Sequence, residues 1–237
     1  MKKKDMFTEN DGYNASLSHD LFDLTDGNRI CYGGSQNMYD TPKERTCGCG
    51  IAGAADVILY LEAVRTGNFT IEKEKFLELS RLLRKKYIPI IPGRGVNAFL
   101  LAYGMNRYFR KNGLPYHSYW KCTFFRKWQI TERMLKNDIP VIIAIGNNFP
   151  LFWGKKELNL YVRDEQATDT KEEVYKKEQS VCGHFVVITS MKGNCLTVSS
   201  WGRKYFINID EFKKYVLLHS THMYSNILAI KKKNANC

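Results

Sequence analysis

Two residues far apart in the chain, Cys49 and His184, have the types and settings that nucleophilic chemistry requires. Cys49 stands between Gly48 and Gly50 at the start of a predicted helix, where backbone N–H groups favour a thiolate. His184 follows Gly183 at the start of a predicted strand, from which its imidazole can project toward a helix end. The sequence therefore predicts a thiolate–imidazolium pair that attacks a carbonyl carbon.

The hairpin predicted after His184 supplies candidates for a third group that orients the imidazole. The returning strand brings Ser199 or Ser200 alongside the start of the His184 strand. A serine can accept the imidazole N–H, but it carries no charge and stabilises an imidazolium less than an acid does. Trp201 is a candidate to shield that hydrogen bond from water, or else an ordinary core aromatic.

The segments around both residues resemble the papain-like cysteine peptidases. The nucleophile helix of that family is similar to TCGCGIAGAADVIL here, especially in proteins similar to bacteriocin leader (double-glycine) peptidases. The family's Gly-His-apolar strand and hairpin resemble CGHFVVITSMKGNCLTVSSWG, in which Ser-Trp-Gly is similar to papain's Asn-Ser-Trp-Gly. The interval from Cys49 to His184 lies within the ~130–150 residues of the papain pattern. The resemblance covers residues 46–66 and 182–215, and it implies a papain-like fold and thiol-dependent hydrolysis of an amide bond.

The chain departs from the family pattern at the residues that assist the nucleophile. Papain has Asn, and the leader peptidases have Asp, where this chain has Ser199 or Ser200. The family's oxyanion glutamine usually stands shortly before the nucleophile, at the position of Lys43. The nearest side-chain amides, Gln36 and Asn37, are the remaining candidates for that role.

Cysteine usage leaves a second chemistry open. The chain has seven cysteines, an odd number, and neither a secretory signal nor a membrane span is visible. A cytoplasmic location is therefore predicted, with disulfides disfavoured and export by another route left open. Cys47, Cys49, Cys182 and His184 offer a zinc-binding set, although structural zinc sites prefer wider spacings than these. We predict catalysis by Cys49, which the Gly-Ile-Ala-Gly-Ala run follows directly, with neither metal nor cofactor.

The composition favours one domain with an acidic partner. Hydrophobic residues make up 44% of 237 residues, enough for a single sizeable core over 1–237. The net charge of +12 favours acidic partners such as nucleic acid, an anionic membrane or an acidic peptide, although lysine runs at both chain ends account for part of it. We expect a peptide or protein substrate, acidic if the charge has a role, and neither nucleic acid nor a membrane span.

The elements that position these residues change character along the chain. After an irregular leader over 1–46, helical periodicity predicts helices at 51–65, 72–87, 96–111 and 130–137. Strands are predicted at 139–146, 184–190, 195–200, 204–209 and 225–231, with a short helix at 211–217 capped by Asp210. A charged insertion, either a hairpin or a lid, covers 153–182. This order predicts an α+β, papain-like fold: an N-terminal helical part, with the nucleophile at a helix N-terminus, packed on a C-terminal, mostly antiparallel sheet.

Two other functions are compatible with the same residues. An acyl transferase of the transglutaminase-like or arylamine acetyltransferase-like kind uses the same Cys–His arrangement and differs in what accepts the acyl group. A non-catalytic, papain-like binding module is favoured by the serine at the third position and by the missing glutamine.

Overall fold

The computed structural model describes residue 7 and residues 12–91, 93, 95–121, 126–146, 156–164 and 174–233. The strands in that part of the chain are β1 (Tyr13–Ser16), β2 (Asp23–Asp26), β3 (Arg29–Tyr32), β4 (Thr70–Glu72), β5 (Tyr116–Trp120), β6 (Val141–Ile145), β7 (Leu158–Arg163), β8 (Tyr175–Val181), β9 (His184–Gly193), β10 (Cys195–Ser200), β11 (Arg203–Asn208) and β12 (Ile227–Lys232). The helices are α1 (Pro42–Cys47), α2 (Cys49–Thr66), α3 (Lys73–Lys86), α4 (Ala98–Lys111), α5 (Lys127–Lys136) and α6 (Ile209–His219), with a 3₁₀ turn at Gln36–Met38.

A large antiparallel sheet forms the centre of the molecule. Its order is β5-β12-β6-β9-β10-β11-β7-β8, and β1 pairs with the far end of β9. β6 is buried along its whole length and β9 along most of its length. Such continuous apolar runs are typical of strands covered on both faces. The pairing of β6 with β9 sets Ile145 opposite His184, so the candidate base lies at the start of a central strand.

Helix α2 is the central helix of the fold. It packs against β6 and β9 on one side and against α3 and α4 on the other. Because it is covered all round, it is apolar on every face rather than amphipathic. Its small residues allow close approach to the sheet: a Cβ at Gly53 would lie 3.5 Å from Val187 Cγ2. The helix ends at Gly67, which adopts the left-handed conformation (φ 74°) of a C-terminal cap.

The described part of the segment predicted to be an irregular leader, residues 12–46, is folded into the domain. β1 adds to the main sheet, and β2 and β3 form a hairpin that pairs in parallel with β4. The Asp26-Gly27-Asn28 turn closes that hairpin, with Gly27 at φ 59°. The polar composition of this segment concealed its short strands, and β1 and β4 also pair with strands that are distant in sequence.

The other elements follow the prediction with local corrections. The mixed α+β class and the large antiparallel sheet are confirmed. β5 lies inside the half predicted to be helical, and α6 is capped by Asn208, whose side chain accepts from Asp210 N and Glu211 N, rather than by Asp210. The described part of 153–182 is the β7–β8 hairpin at the sheet edge; residues 165–173, where a lid would fall, lie outside the described residues. Within the described ranges, no helix is long and apolar enough to cross a membrane.

Candidate functional site

Cys49 lies at the junction of two helices. α1 ends at Cys47, Gly48 is the N-cap of α2, and Cys49 is the first residue of α2. No side chain caps this helix start, so its first N–H groups have no capping acceptor. A side chain at Gly48 would collide with Glu44 O, and a Cβ at Gly50 would lie 2.9 Å from Val96 Cβ. Gly48 therefore allows the close approach of α1 to the start of α2, and Gly50 allows that of the loop that precedes α4.

Three backbone amides near Cys49 favour its ionised form. They belong to Phe185, Gly50 and Cys49 itself. The Phe185 N–H is part of the peptide that joins it to His184, so the sulfur lies against the start of β9. Burial raises the pKa of the Cys49 thiol above its ordinary value, and hydrogen bonds from these amides oppose that shift. The thiol is therefore neutral at physiological pH in this closed geometry.

The His184 ring is held from two directions. Its Nε2 lies 2.8 Å from Ser200 Oγ, at the end of β10. Trp201 stacks on the ring at 4.4 Å between centroids and 16° between planes. Burial lowers the pKa of His184 to about 4, so the imidazole is neutral at pH 7. The thiol and the imidazole are therefore both neutral at pH 7. The sequence, from the position of Cys49 at a helix start, predicts a thiolate–imidazolium ion pair instead.

Ser199 and Ser200, the two candidates for the group that orients the imidazole, have different partners in the structure. Ser200 contacts the imidazole, whereas Ser199 Oγ donates to Tyr32 O at 2.9 Å. Neighbouring residues of a strand point to opposite faces, so only one of them can reach His184. Ser200 orients the ring, and Ser199 ties the sheet to the loop at residues 33–36.

The two oxyanion candidates lie in different environments. Gln36 is buried beside Cys49, but its Nε2 donates to Arg45 O at 2.6 Å. Asn37 is exposed and does not line the same cavity. The first-turn backbone N–H groups of Cys49 and Gly50 already face the sulfur and are the nearer donors for an oxyanion.

An acid that sequence reasoning did not single out, Asp56, shares this site. It lies on α2, two helical turns after Cys49, and is only 3% exposed. Its Oδ1 accepts from Gly34 N at 2.8 Å. Burial raises the pKa of Asp56 to about 7, and the Gly34 bond opposes that shift. The signal available in the sequence was a lone acid inside the apolar run IAGAADVILYL, where a carboxylate is costly to bury.

The 33–36 loop is fixed from all sides. Gly202 N donates to Gly34 O at 3.1 Å, and Tyr32 N donates to Gly202 O at 2.9 Å. Gly33 has φ 71°, and a Cβ there would lie 2.7 Å from Leu21 Cδ2 and 2.8 Å from Ser199 Oγ. This close packing holds the loop that carries Gln36 against helix α2.

One small cavity of about 10 Å³ brings the predicted site residues together, with the exception of Asn37. Its lining includes Gln36, Cys49, Asp56, His184, Ser200 and Trp201. That volume holds at most about one water molecule, so a substrate requires the surrounding side chains to open. In the described part of the chain, no group of three or more His, Cys, Asp or Glu side chains is arranged to hold a metal ion, and the zinc set of Cys47, Cys49, Cys182 and His184 is therefore not assembled.

Comparison of the chain with protein-family models, with curated proteins and with solved structures finds no match. The chemistry of the site must therefore be argued from its own geometry. That geometry places a thiol at a helix N-terminus beside a histidine that a hydroxyl orients and an indole covers.

Proposed function

We propose that this protein is a thiol-dependent amide hydrolase with a papain-like arrangement, in which Cys49 is the nucleophile and His184 is the base. One observation carries the proposal: Cys49 and His184 line one small cavity, in which Ser200 holds the imidazole of His184. The chain order of nucleophile, base and orienting residue is the one that the resemblance to papain-like peptidases implies.

Because the Cys49 thiol and the His184 imidazole are both neutral, we expect the thiol proton to move to the imidazole during the attack rather than before it. With the Nε2–H of His184 donated to Ser200, Nδ1 is left to accept the thiol proton. The sulfur then bonds to the carbonyl carbon, and the backbone N–H groups at the start of α2 bind the oxyanion. The proton passes to the leaving amine as the C–N bond breaks, and water, deprotonated by His184, hydrolyses the thioester. A peptide or protein is the proposed substrate class.

A substrate-like electrophile tests this assignment directly. We expect a mixture of peptidyl acyloxymethyl ketones to add one peptidyl group per chain, at Cys49, because Cys49 lines the same cavity as His184, the proposed base. Intact-protein and peptide mass spectrometry locate the adduct. The Cys47→Ala variant should label like the wild type, since Cys47 is the last residue of α1 and not part of the pair.

Two results would contradict the assignment. Labelling at Cys47 or Cys182 without a Cys49 adduct would give the reactive role to another thiol. Equal labelling of Cys49 in the wild type and in His184→Gln would remove the histidine as base. A folded protein that no probe of this class labels would favour the non-catalytic binding module.

Ser200 is proposed as the positioning residue for the imidazole. Ser200→Ala should lower kcat for hydrolysis of peptidyl aminomethylcoumarin amides by about tenfold to a hundredfold, because a free ring spends less time in the reactive orientation. KM should change little, and Ser200→Asn, which restores a hydrogen-bond acceptor, should recover part of kcat. Ser190→Ala is the matched control, since Ser190 Oγ bonds Thr197 in the same hairpin, 2.8 Å away, outside the site. An unchanged kcat in Ser200→Ala would reject the positioning role.

A further inference from the structure

Nearly all of the net charge of this protein comes from one acid-free part of the chain. From residue 79 to residue 131 the sequence contains no Asp or Glu but eleven Lys and Arg, against a net charge of +12 for the whole chain. The end of α3, the whole of α4 and strand β5 all fall in this part. Charge segregated in this way marks a surface for an anionic partner better than a high overall charge does.

Helix α4 concentrates this charge on one face. Its exposed residues are apolar in the first half, with Phe99 47%, Leu100 37% and Tyr103 59% exposed. The second half of the same face carries Arg107, Arg110 and Lys111. At 100° per residue these six positions fall within an arc of about 120°, opposite the buried side of the helix. We call them, together with Lys86 and Tyr87, the α4 face.

The cations of the α4 face have no acidic partner within the described residues. Lys86, Arg107, Arg110 and Lys111 line an open groove of about 570 Å³ with Tyr87 and make no ion pair there. Neighbouring cations on α3 behave differently: Lys75 pairs with Glu62 at 2.8 Å and Arg81 with Asp40 at 3.2 Å. Arg107 instead lies over the rings of Tyr87 and Tyr103, at 5.7 and 5.9 Å.

We propose that the α4 face binds the surface of an anionic lipid bilayer. Exposed Phe, Leu and Tyr side chains beside unpaired cations are what an interfacial helix needs, since the apolar residues enter the headgroup region while the cations meet lipid phosphates and carboxylates. A single-stranded nucleic acid fits less well. Its bases need several free aromatic faces, and Arg107 lies over both tyrosines of the α4 face, which leaves Phe99 as the ring there with no cation over it in the described part of the chain. The proposal does not depend on the hydrolase activity.

The segment that leads into α4 packs against the start of α2. Val96, which precedes α4, packs on Gly50, and Gly95 faces Cys47 O, at 3.5 Å from the position that a Cβ would take. A chain bound through the α4 face would therefore hold the start of α2 close to the bilayer.

Vesicle co-sedimentation of the full chain tests the inference. We expect binding to vesicles of 70% phosphatidylcholine and 30% phosphatidylglycerol and little binding to pure phosphatidylcholine. Arg107→Gln/Arg110→Gln/Lys111→Gln should weaken binding about a hundredfold, since each cation at an anionic membrane contributes about a factor of five. Lys177→Gln/Lys213→Gln/Lys214→Gln removes the same charge from exposed positions on β8 and α6 and should change binding less than threefold. Phe99→Ser/Leu100→Ser should lower the binding that persists at 0.5 M salt.

Three outcomes would overturn it. The wild type could fail to bind anionic vesicles at 0.1 M salt, or both triple variants could lose binding equally, which would make the attraction one of overall charge. A single-stranded oligonucleotide could compete the vesicles away at a much lower concentration than phosphatidylglycerol, which would assign the α4 face to nucleic acid. Circular dichroism of each variant shows that it is folded, and labelling of Cys49 reports the separate hydrolase proposal.

Discussion

Replacing Cys49 with alanine is expected to lower kcat/KM for hydrolysis of peptidyl aminomethylcoumarin amides by about a thousandfold or more, because no other group in the site can form the thioester. The substitution removes one sulfur atom at a buried helix start and leaves the helix itself intact. Cys47→Ala is the matched control, two residues away at the end of α1, and should retain nearly full activity. Thermal unfolding of both variants separates loss of chemistry from loss of fold.

His184 should matter to a similar degree. His184→Gln should be about as inactive as Cys49→Ala, and the double variant should be no worse than either, since the two groups act as one unit. Full activity in Cys49→Ala, or loss of activity only in Cys47→Ala, would contradict the assignment. If hydroxylamine diverts most of the product to the hydroxamate while hydrolysis alone is slow, the acyl transferase function is favoured over hydrolysis.

The sequence predicts the proposed Cys49–His184 pair because local signals are sufficient for such a prediction. A cysteine between glycines at a helix start and a histidine at a strand start can both be recognised within a few residues. The choice between Ser199 and Ser200 cannot be made in this way. It depends on which face of β10 meets His184, and a shift of one residue in the pairing of β9 and β10 reverses the answer.

Long-range packing explains what the sequence conceals. Asn14 and Ala15 pair with Lys192 and Met191 across almost the whole chain, so no local pattern in the first segment reveals strand β1. Gln36 reaches the site only because the 33–36 loop is clamped between Ser199 and α2. The charge segregation behind the α4 face is visible in the sequence, but only the fold shows which cations remain unpaired.

Burial of the site shifts the pKa values of its titratable side chains. Desolvation, rather than a partner of opposite charge, shifts the pKa values of both His184 and Asp56 in the direction that favours the neutral form. Groups with shifted pKa values that converge in one cavity are typical of functional sites, because a structural core gains nothing from them. They also make the stability of the protein depend on pH in a direction that can be worked out.

Asp56→Asn is expected to stabilise the protein at alkaline pH, which is the opposite of what most substitutions of a buried polar residue do. The folded-state pKa of Asp56 is raised to about 7, against about 3.9 for an unfolded aspartate. The unfolded chain therefore ionises first, and the wild-type stability contributed by this group falls as the pH rises from about 4 to about 7. At about 1.4 kcal/mol per pKa unit, the loss above pH 7 is on the order of 4 kcal/mol.

The asparagine keeps an oxygen acceptor for Gly34 N–H and cannot ionise, so it avoids this loss. We expect its free energy of unfolding in urea to exceed that of the wild type by about 2–4 kcal/mol at pH 8 and to equal it within about 1 kcal/mol at pH 4.5. His184, whose pKa is lowered to about 4, makes both proteins less stable as the pH falls below about 6.5, and this contribution cancels in the difference. Asp40→Asn, which changes an exposed acid paired with Arg81, should alter stability by less than about 1 kcal/mol at either pH. A wild type that is the more stable protein at pH 8 would mean that the Asp56 carboxylate is stabilised as an anion, and the argument from burial would be wrong.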